Sequence, residues 1–233
     1  AGDNDYIDAG DTGTFSFGDS SNDSPFTFSA WINMDDATTF PIISKGVYNS
    51  SGEEYSFTVD TDDKLYLYLF DDSVGTTVEF ASTTATLTAY QDKWVHVVGT
   101  YNGVGGTSAN AGIKLYVNGV AEAMTLGGVG TYVAMENGSA DLHIGRYDSG
   151  YANGSIRDVK IFDYELSADQ VSSLYSGSYN VTPLYWWKID DGSGNAAQSG
   201  INPVDRGAAS VEGGMAWTNG TLDLDSTLTI AAN

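Results

Sequence analysis

Residues 26–34 read Phe26-Thr-Phe-Ser-Ala-Trp-Ile-Asn-Met34, and apolar side chains stand at every second position of this stretch. Successive side chains of a β-strand point to opposite faces, so Phe28, Ala30, Ile32 and Met34 share one face. The pattern predicts a strand with one buried face. It decides the fold class because the same alternation returns along most of the chain.

The other alternating segments are separated by clusters of Gly, Asn, Asp and Ser, which favour turns. The segment 64–70 places three leucines on one side and Tyr66, Tyr68 and Phe70 on the other, so we expect a central strand that is covered on both faces. A later strand ends in Asn118-Gly119, a pair that tolerates the positive φ of a tight hairpin. Further strands are predicted at residues 94–101, 113–117, 142–145, 156–162 and 184–189, with an alternating tail at 221–230.

One segment predicts a helix. Ser167 and Gln170 form a capping box, and Val171, Leu174 and Tyr175 form a short apolar stripe behind it. Many short strands with one helix predict an all-β fold, a two-sheet antiparallel jelly-roll β-sandwich with one short helix near residues 167–175.

The charge balance excludes several classes of partner. Nine Lys and Arg stand against 31 Asp and Glu, which gives a formal net charge of −22. Nucleic-acid binding neutralises phosphates with cations, so DNA and RNA are not expected partners. An anionic membrane surface is disfavoured for the same reason, and the longest apolar run, residues 65–70, is too short for membrane insertion. The chain has no cysteine, so disulfides and thiolate metal sites are excluded.

Five motifs follow one another in order before the predicted helix. They are Phe28-Ser-Ala-Trp-Ile32, Lys93-Trp-Val-His-Val-Val-Gly-Thr-Tyr101, Ile113-Lys-Leu-Tyr-Val-Asn-Gly119, Leu142-His-Ile-Gly145 and Gly154-Ser-Ile-Arg-Asp-Val-Lys-Ile-Phe162. This succession resembles the laminin-G-like branch of the concanavalin A-like jelly rolls. The resemblance implies that residues 1–177 form the jelly-roll core.

The segment Tyr185-Trp-Trp-Lys-Ile-Asp-Asp-Gly-Ser-Gly194 departs from that family's order, because members commonly carry the matching text upstream of their first strands. Three interpretations stay open. Residues 178–233 complete the same sandwich as a circular permutation, or they begin a following repeat, or they supply a strand to a neighbouring subunit. The third interpretation predicts a homo-oligomer or filament held by strand pairing.

The sequence argues against an enzyme. Glycoside hydrolases need two carboxylates across a cleft, and those of this fold usually carry them as a Glu-x-Asp-x-(x)-Glu run. No such run exists here, and the seven glutamates are scattered. The two histidines, His96 and His143, lie inside alternating strands, where a packed or surface imidazole is expected rather than a catalytic triad or metal site. We therefore predict no catalytic residues.

Calcium is the expected cofactor, because abundant Asp side chains and turn carbonyls supply hard oxygen ligands. The resemblance implies that Asp158, in the Gly-x-Ile-x-Asp-Val strand, matches a structural calcium ligand, with Gly2 and Asp3 of the first strand as partners. The alternative is that Asp158 forms an ion pair with Arg157 or Lys160. We interpret the clusters at residues 60–63, 71–72 and 190–191 as solvated turns.

Two aromatic pairs are candidate ligand-binding residues, because rings stack on the apolar faces of sugars while polar groups bind hydroxyls. Tyr66 and Tyr68 form one pair, for which core packing is the alternative. The other pair, Tyr147 and Tyr151, lies in a predicted loop. Asp148 and Asn153 accompany that loop pair as polar candidates. We assign the five tryptophans to the core: Trp31, Trp94, Trp186, Trp187 and Trp217.

Together these features favour a non-enzymatic recognition or adhesion module that binds a glycan or cell-surface ligand with the help of calcium. The alternative is a structural subunit of an extracellular filament, sheath or virion. Both functions place the protein outside the cell, at a cell surface or at a virion surface.

Overall fold

The computed structural model describes residues 6–47, 52–74, 77–178 and 181–189, together with the backbone of four short strands between residues 209 and 230. The strands are β1 (Ile7–Asp8), β2 (Phe26–Met34), β3 (Phe40–Lys45), β4 (Tyr55–Val59), β5 (Leu65–Asp71), β6 (Thr77–Thr83), β7 (Trp94–Tyr101), β8 (Ile113–Val117), β9 (Val120–Ala121), β10 (Met124–Val129), β11 (Leu142–Ile144), β12 (Arg146–Tyr147), β13 (Gly150–Tyr151), β14 (Gly154–Phe162), β15 (Tyr185–Trp187), β16 (Ala209–Val211), β17 (Ala216–Thr218), β18 (Thr221–Asp223) and β19 (Leu228–Ile230). The α-helix α1 spans Ala168–Tyr175, and 3-10 helices span Gly13–Phe15, Asp72–Val74, Thr88–Tyr90 and Gly106–Gly112.

Two large sheets form the body of the molecule. The nine-stranded sheet has the order β10-β6-β5-β4-β3-β11-β1-β19-β16, and the eight-stranded sheet has the order β17-β18-β14-β2-β7-β8-β9, with β15 on β14. All pairs are antiparallel except β1 with β19, which is parallel. This arrangement confirms the predicted jelly-roll β-sandwich. No helix in the described part of the chain has the length and apolar character to cross a membrane.

The core lies between the two sheets. Phe28, Ala30, Ile32 and Met34 of β2 have no exposed surface, which confirms the face predicted from their spacing. The Phe28 ring lies 4.9 Å from the Tyr55 ring of β4, so it links the eight-stranded sheet to the nine-stranded one. This contact joins the layers in the way expected of a two-sheet sandwich.

The central position predicted for β5 is confirmed, since it lies between β4 and β6. Its leucines are fully buried against the core. On the other face only Phe70 is buried, while Tyr66 and Tyr68 stay half-exposed. The expectation that both faces are covered is therefore met at one end of the strand and not at the other.

Local signals placed the helix and one hairpin correctly. The Gln170 N–H donates to Ser167 Oγ at 3.3 Å and the Ser167 N–H to Gln170 Oε1 at 2.8 Å, which completes the capping box. Asn118 and Gly119 have φ values of 50° and 78°, and they connect β8 to β9. The structure thus confirms the predicted helix and hairpin.

Strand β15 pairs with β14 of the same chain, in the register Val159 with Trp187 and Ile161 with Tyr185. Tyr185, Trp187 and the following Ile189 are buried in the core. Strand β18 pairs with the same edge of β14 further along, through Ser155 and Ile156. In this structure the strand β15, which belongs to the segment that departs from the family's order, therefore lies on its own sandwich.

The assignment of all tryptophans to the core is wrong for three of them. Trp31, Trp94 and Trp186 are half-buried, and only Trp187 is buried. Trp31 alternates with core residues of β2, so it points to the opposite, outward face of the eight-stranded sheet. The side chain of Trp217 lies outside the described part of the chain.

Candidate functional site

A groove of about 330 Å³ opens on the outward face of the nine-stranded sheet. Tyr68 and Phe70 of β5 line it, with Tyr147 and Gly150 of the β12–β13 hairpin opposite. The further lining residues are mostly apolar or hydroxyl-bearing: Thr39, Pro41, Thr58, Val59, Asp60, Val78 and Val129. A concave, largely apolar surface with few polar groups is the usual form of a small-ligand site.

The aromatic rings of β5 form a continuous row along this face. The Tyr66 and Tyr68 rings are stacked, with centroids 5.1 Å apart and planes at 3°. Phe70 continues the row at 6.0 Å from Tyr68, and Tyr147 lies 6.4 Å from Phe70. The spacing of two residues puts the three β5 rings on one face, because strand side chains alternate.

The tyrosine hydroxyls in the groove are bound to carboxylates. Tyr68 Oη donates to Asp60 Oδ2 at 2.6 Å, and Tyr147 Oη donates to Glu53 Oε1. Burial raises the pKa of both phenols well above the usual tyrosine value, and the carboxylates raise it further. Both hydroxyls therefore stay protonated at neutral pH, so the groove offers neutral rings with polar tips.

The β12–β13 hairpin is fixed against β3. Ser44 Oγ donates to the Arg146 carbonyl at 2.6 Å, and the Gly145 N–H donates to the Ile42 carbonyl at 3.1 Å. Asp148, at the tip of the hairpin, takes a φ of 53°, which a short polar side chain tolerates better than most. These contacts hold Tyr147 over the sheet.

Of the predicted ligand residues, Tyr68 and Tyr147 line the same groove, and Tyr66 stacks beside it. Two candidates that are far apart in sequence are thus brought together. The other three are placed elsewhere. Tyr151 lies 5.6 Å under the Arg146 guanidinium, Asp148 forms the hairpin tip, and Asn153 is exposed outside the groove.

Sequence reasoning missed Asp60, which it placed in a solvated turn. The signal that could have found it is the hairpin register, since β4 and β5 pair through Val59 and Leu65 and leave Asp60 beside the start of the aromatic row. The interpretation of Asp71 as a solvated turn is wrong. Asp71 is 1% exposed and accepts hydrogen bonds from Ser73 and from the Val133 N–H.

Asp158, the predicted calcium ligand, is already bound by two donors. Its carboxylate contacts the Lys160 ammonium and the Trp186 Nε1–H, each at 2.5 Å. The ion pair with Lys160 is one of the alternatives raised by the sequence, and an ammonium beside the carboxylate does not fit a calcium ligand. Gly2 and Asp3 lie outside the described residues, so the calcium prediction stays a prediction.

Asp8, Asp141 and His143 form another acidic group, with one ligand atom of each within 4.8 Å of the others. Asp8 also accepts a hydrogen bond from the Gly10 N–H at 2.9 Å. An imidazole suits a transition metal better than calcium, which prefers oxygen ligands. The group is therefore a weak match to the predicted cofactor.

Comparisons with known proteins identify a family and several solved structures of similar fold. The family model of the concanavalin A-like lectin/glucanases superfamily matches residues 1–172. No curated protein matches the chain. Among solved structures, a heptameric SAP-like pentraxin from Limulus polyphemus is 16% identical, with a TM-score of 0.47 over 91% of this chain and 86% of that one.

Two further solved structures resemble the chain with a similar identity and TM-score. The binding domain of botulinum neurotoxin DC, in complex with rat synaptotagmin II, is 18% identical with a TM-score of 0.46, covering 88% of this chain and 49% of that one. Domain 4 of the extracellular arabinanase AbnA from Geobacillus stearothermophilus, in complex with arabinotriose, is 16% identical with a TM-score of 0.45, covering 66% and 68%. The chain thus spans about half the length of the neurotoxin chain. Likenesses this distant carry no functional argument.

Proposed function

The chain belongs to the concanavalin A-like lectin/glucanase superfamily, and we propose that it is a non-enzymatic recognition module that binds a glycan in the groove between Tyr68 and Tyr147. The observation that carries this proposal is the row of rings from β5 that continues into the hairpin. Aromatic surface with hydroxyl tips suits a sugar, which presents apolar C–H groups and hydroxyls together.

Polar groups at the groove support a sugar ligand over a purely apolar one. Asp60 accepts a hydrogen bond from Tyr68, and Thr39 and Thr58 carry hydroxyl groups on the lining. A carboxylate and hydroxyls offer the acceptors and donors that sugar hydroxyls need. We also propose that the module acts outside the cell, since glycans are common ligands at cell surfaces and in the extracellular matrix.

The number and burial of the carboxylates at the groove support the non-enzymatic part of the proposal. Glycoside hydrolysis needs two carboxyl groups flanking the scissile bond. Among the described residues that line the groove, Asp60 is the one carboxylate. Glu53 is 6% exposed and is bound to the Tyr147 hydroxyl, so it is poorly placed to act on a substrate.

A glycan array with the full chain tests the proposal, followed by calorimetric titration of the glycan that binds. We expect Tyr68→Ala and Tyr147→Ala each to weaken binding about tenfold or more, because each removes aromatic surface and a hydroxyl group from the lining of the groove. Tyr164→Ala is the matched control, since Tyr164 is a half-buried tyrosine that does not line the groove. Release of reducing ends from the bound glycan would contradict the non-enzymatic assignment. Absence of binding to any glycan, with self-assembly of the chain, would favour a structural subunit.

A further inference from the structure

A second groove, of about 500 Å³, lies on the outward face of the eight-stranded sheet. It is bounded by the C-terminal end of α1, with Tyr175, and by Trp31 of β2 and Trp186 of β15. Arg157 and Lys188 also line it. Two of the nine cationic residues of a chain with net charge −22 thus meet in one groove.

Both cations lack a counter-ion in the described part of the chain. Arg157 and Lys188 form no ion pair within 4.0 Å among the described residues, and neither side chain donates a hydrogen bond there. Helix C-termini attract cations, but neither residue donates to a carbonyl of α1, so helix capping does not account for them. Two cations that line one groove and have no ion pair among the described residues call for another explanation.

The carboxylate in the groove does not cancel their charge. Asp158 is bound to Lys160, whose side chain is only 3% exposed, and to the Trp186 indole. Burial lowers the pKa of Lys160, Asp158 opposes that effect, and the nearby Lys188 charge lowers the pKa further. Asp158 and Lys160 therefore form a closed pair, and the groove keeps the positive charges of Arg157 and Lys188.

The Arg157 guanidinium lies over two aromatic rings. Its guanidinium carbon lies 4.2 Å from the centroid of Trp94 and 5.5 Å from that of Trp31. A guanidinium that lies over an aromatic ring keeps in-plane N–H groups that bind a planar acceptor such as a carboxylate. The Lys188 ammonium lies 5.1 Å from the Trp186 ring centroid, so it too is positioned by an aromatic ring.

We propose that this second groove binds a sugar that carries a carboxylate, with Arg157 and Lys188 binding the carboxylate and the aromatic rings contacting the sugar ring. Tyr175 is 41% exposed, so its ring offers aromatic surface to a ligand, and Trp31 stacks on it with the ring centroids 5.7 Å apart. The site is on the opposite sheet from the Tyr68–Tyr147 groove, and it does not depend on the function proposed for that groove.

The test uses oligosaccharides of galacturonic, glucuronic and mannuronic acid as probes, each compared with its methyl ester. Methyl esterification removes the charge and keeps the sugar ring. We expect at least one free acid to bind the full chain and its ester to bind about tenfold more weakly or not at all. Arg157→Gln and Lys188→Gln should each weaken binding of the free acid about tenfold, and raised salt should weaken it as well.

Lys114→Gln is the matched control, since it removes one cation from the same sheet at an exposed position paired with Glu165. It should leave the affinity unchanged. Melting temperatures of the variants show whether each remains folded, and Lys188→Gln, at a half-buried position, tests the site should Arg157→Gln unfold. Equal affinity for acid and ester, no binding of any free acid, or unchanged binding in folded Arg157→Gln and Lys188→Gln would each overturn the proposal.

Discussion

His96 is a buried histidine whose ring lies 5.3 Å from the Trp31 ring, and it is 2% exposed. Its Nε2 is 3.0 Å from Ser29 Oγ. Burial lowers its pKa to about 4, and the charge of Lys160 contributes in the same direction, while Asp158 opposes it. The imidazole is therefore neutral in the folded protein at neutral pH.

This shift predicts a loss of stability in mild acid. Between pH 6.5 and about 4 the unfolded chain binds a proton at His96 that the folded chain does not, so the free energy of unfolding falls as the pH falls. The full difference is about 3 kcal/mol. Urea unfolding of the unmutated protein and of His96→Gln across this range measures it. The variant should lose that part of the pH dependence, and parallel curves for the two proteins would contradict the assignment.

The bulge in β14 lies where β14 contacts both β2 and β15. Its register with β2 shifts between Arg157 and Lys160, and Asp158 within it takes a φ of 53°. The Asp158 N–H donates to the Lys188 carbonyl at 2.9 Å, and its carboxylate accepts from Trp186. Asp158 thus binds β15 through its side chain and the residue that follows β15 through its main chain.

Replacing Asp158 with Asn tests whether this residue serves β15 or calcium. We expect Asp158→Asn to lower the free energy of unfolding by about 3 kcal/mol, because it removes the carboxylate that faces the buried Lys160 ammonium. The loss should be the same in calcium and in EDTA. A loss seen in calcium alone, with the unmutated protein stabilised by calcium, would instead show the ligand role that the family resemblance implies.

Alternation and local signals were enough to predict several strands and the helix, because they depend on neighbours in sequence, but β3, β4, β6 and β10 of the nine-stranded sheet were not predicted. The strands β2, β5, β7 and β8 and the cap of α1 all follow from such patterns. The candidate groove could not be predicted in the same way, since it needs the hairpin at Tyr147 to lie over β5, and alternation does not specify which strands become neighbours. Asp71 was misread for a similar reason, because its partner Val133 is 62 residues away.

At the scale of the whole molecule, the main question is whether residues 184–233 complete their own sandwich or pair with a neighbouring subunit. Strand β15 covers one edge of β14 and buries Tyr185, Trp187 and Ile189 in the core. Tyr185 also lies 4.6 Å from the Phe15 ring, so the segment joins both ends of the described core. Truncating a single large buried aromatic residue costs about 3–5 kcal/mol, and domains are stable by only about 5–15 kcal/mol.

Deleting residues 184–233 should therefore unfold the protein, and the full chain should be a monomer. Circular dichroism and light scattering of the deleted and full chains measure both. Trp187→Ala shows whether the segment completes its own sandwich or that of a neighbour. If it completes its own, the variant should have a lower melting temperature while the particle mass measured by light scattering stays that of a monomer. A deleted chain that stays folded and only loses self-association, or a Trp187→Ala chain that dissociates from a larger assembly, would show that the segment serves a neighbouring subunit. An edge strand left open in that way would expose unpaired N–H and C=O groups, which explains why some strand must cover β14 in either case.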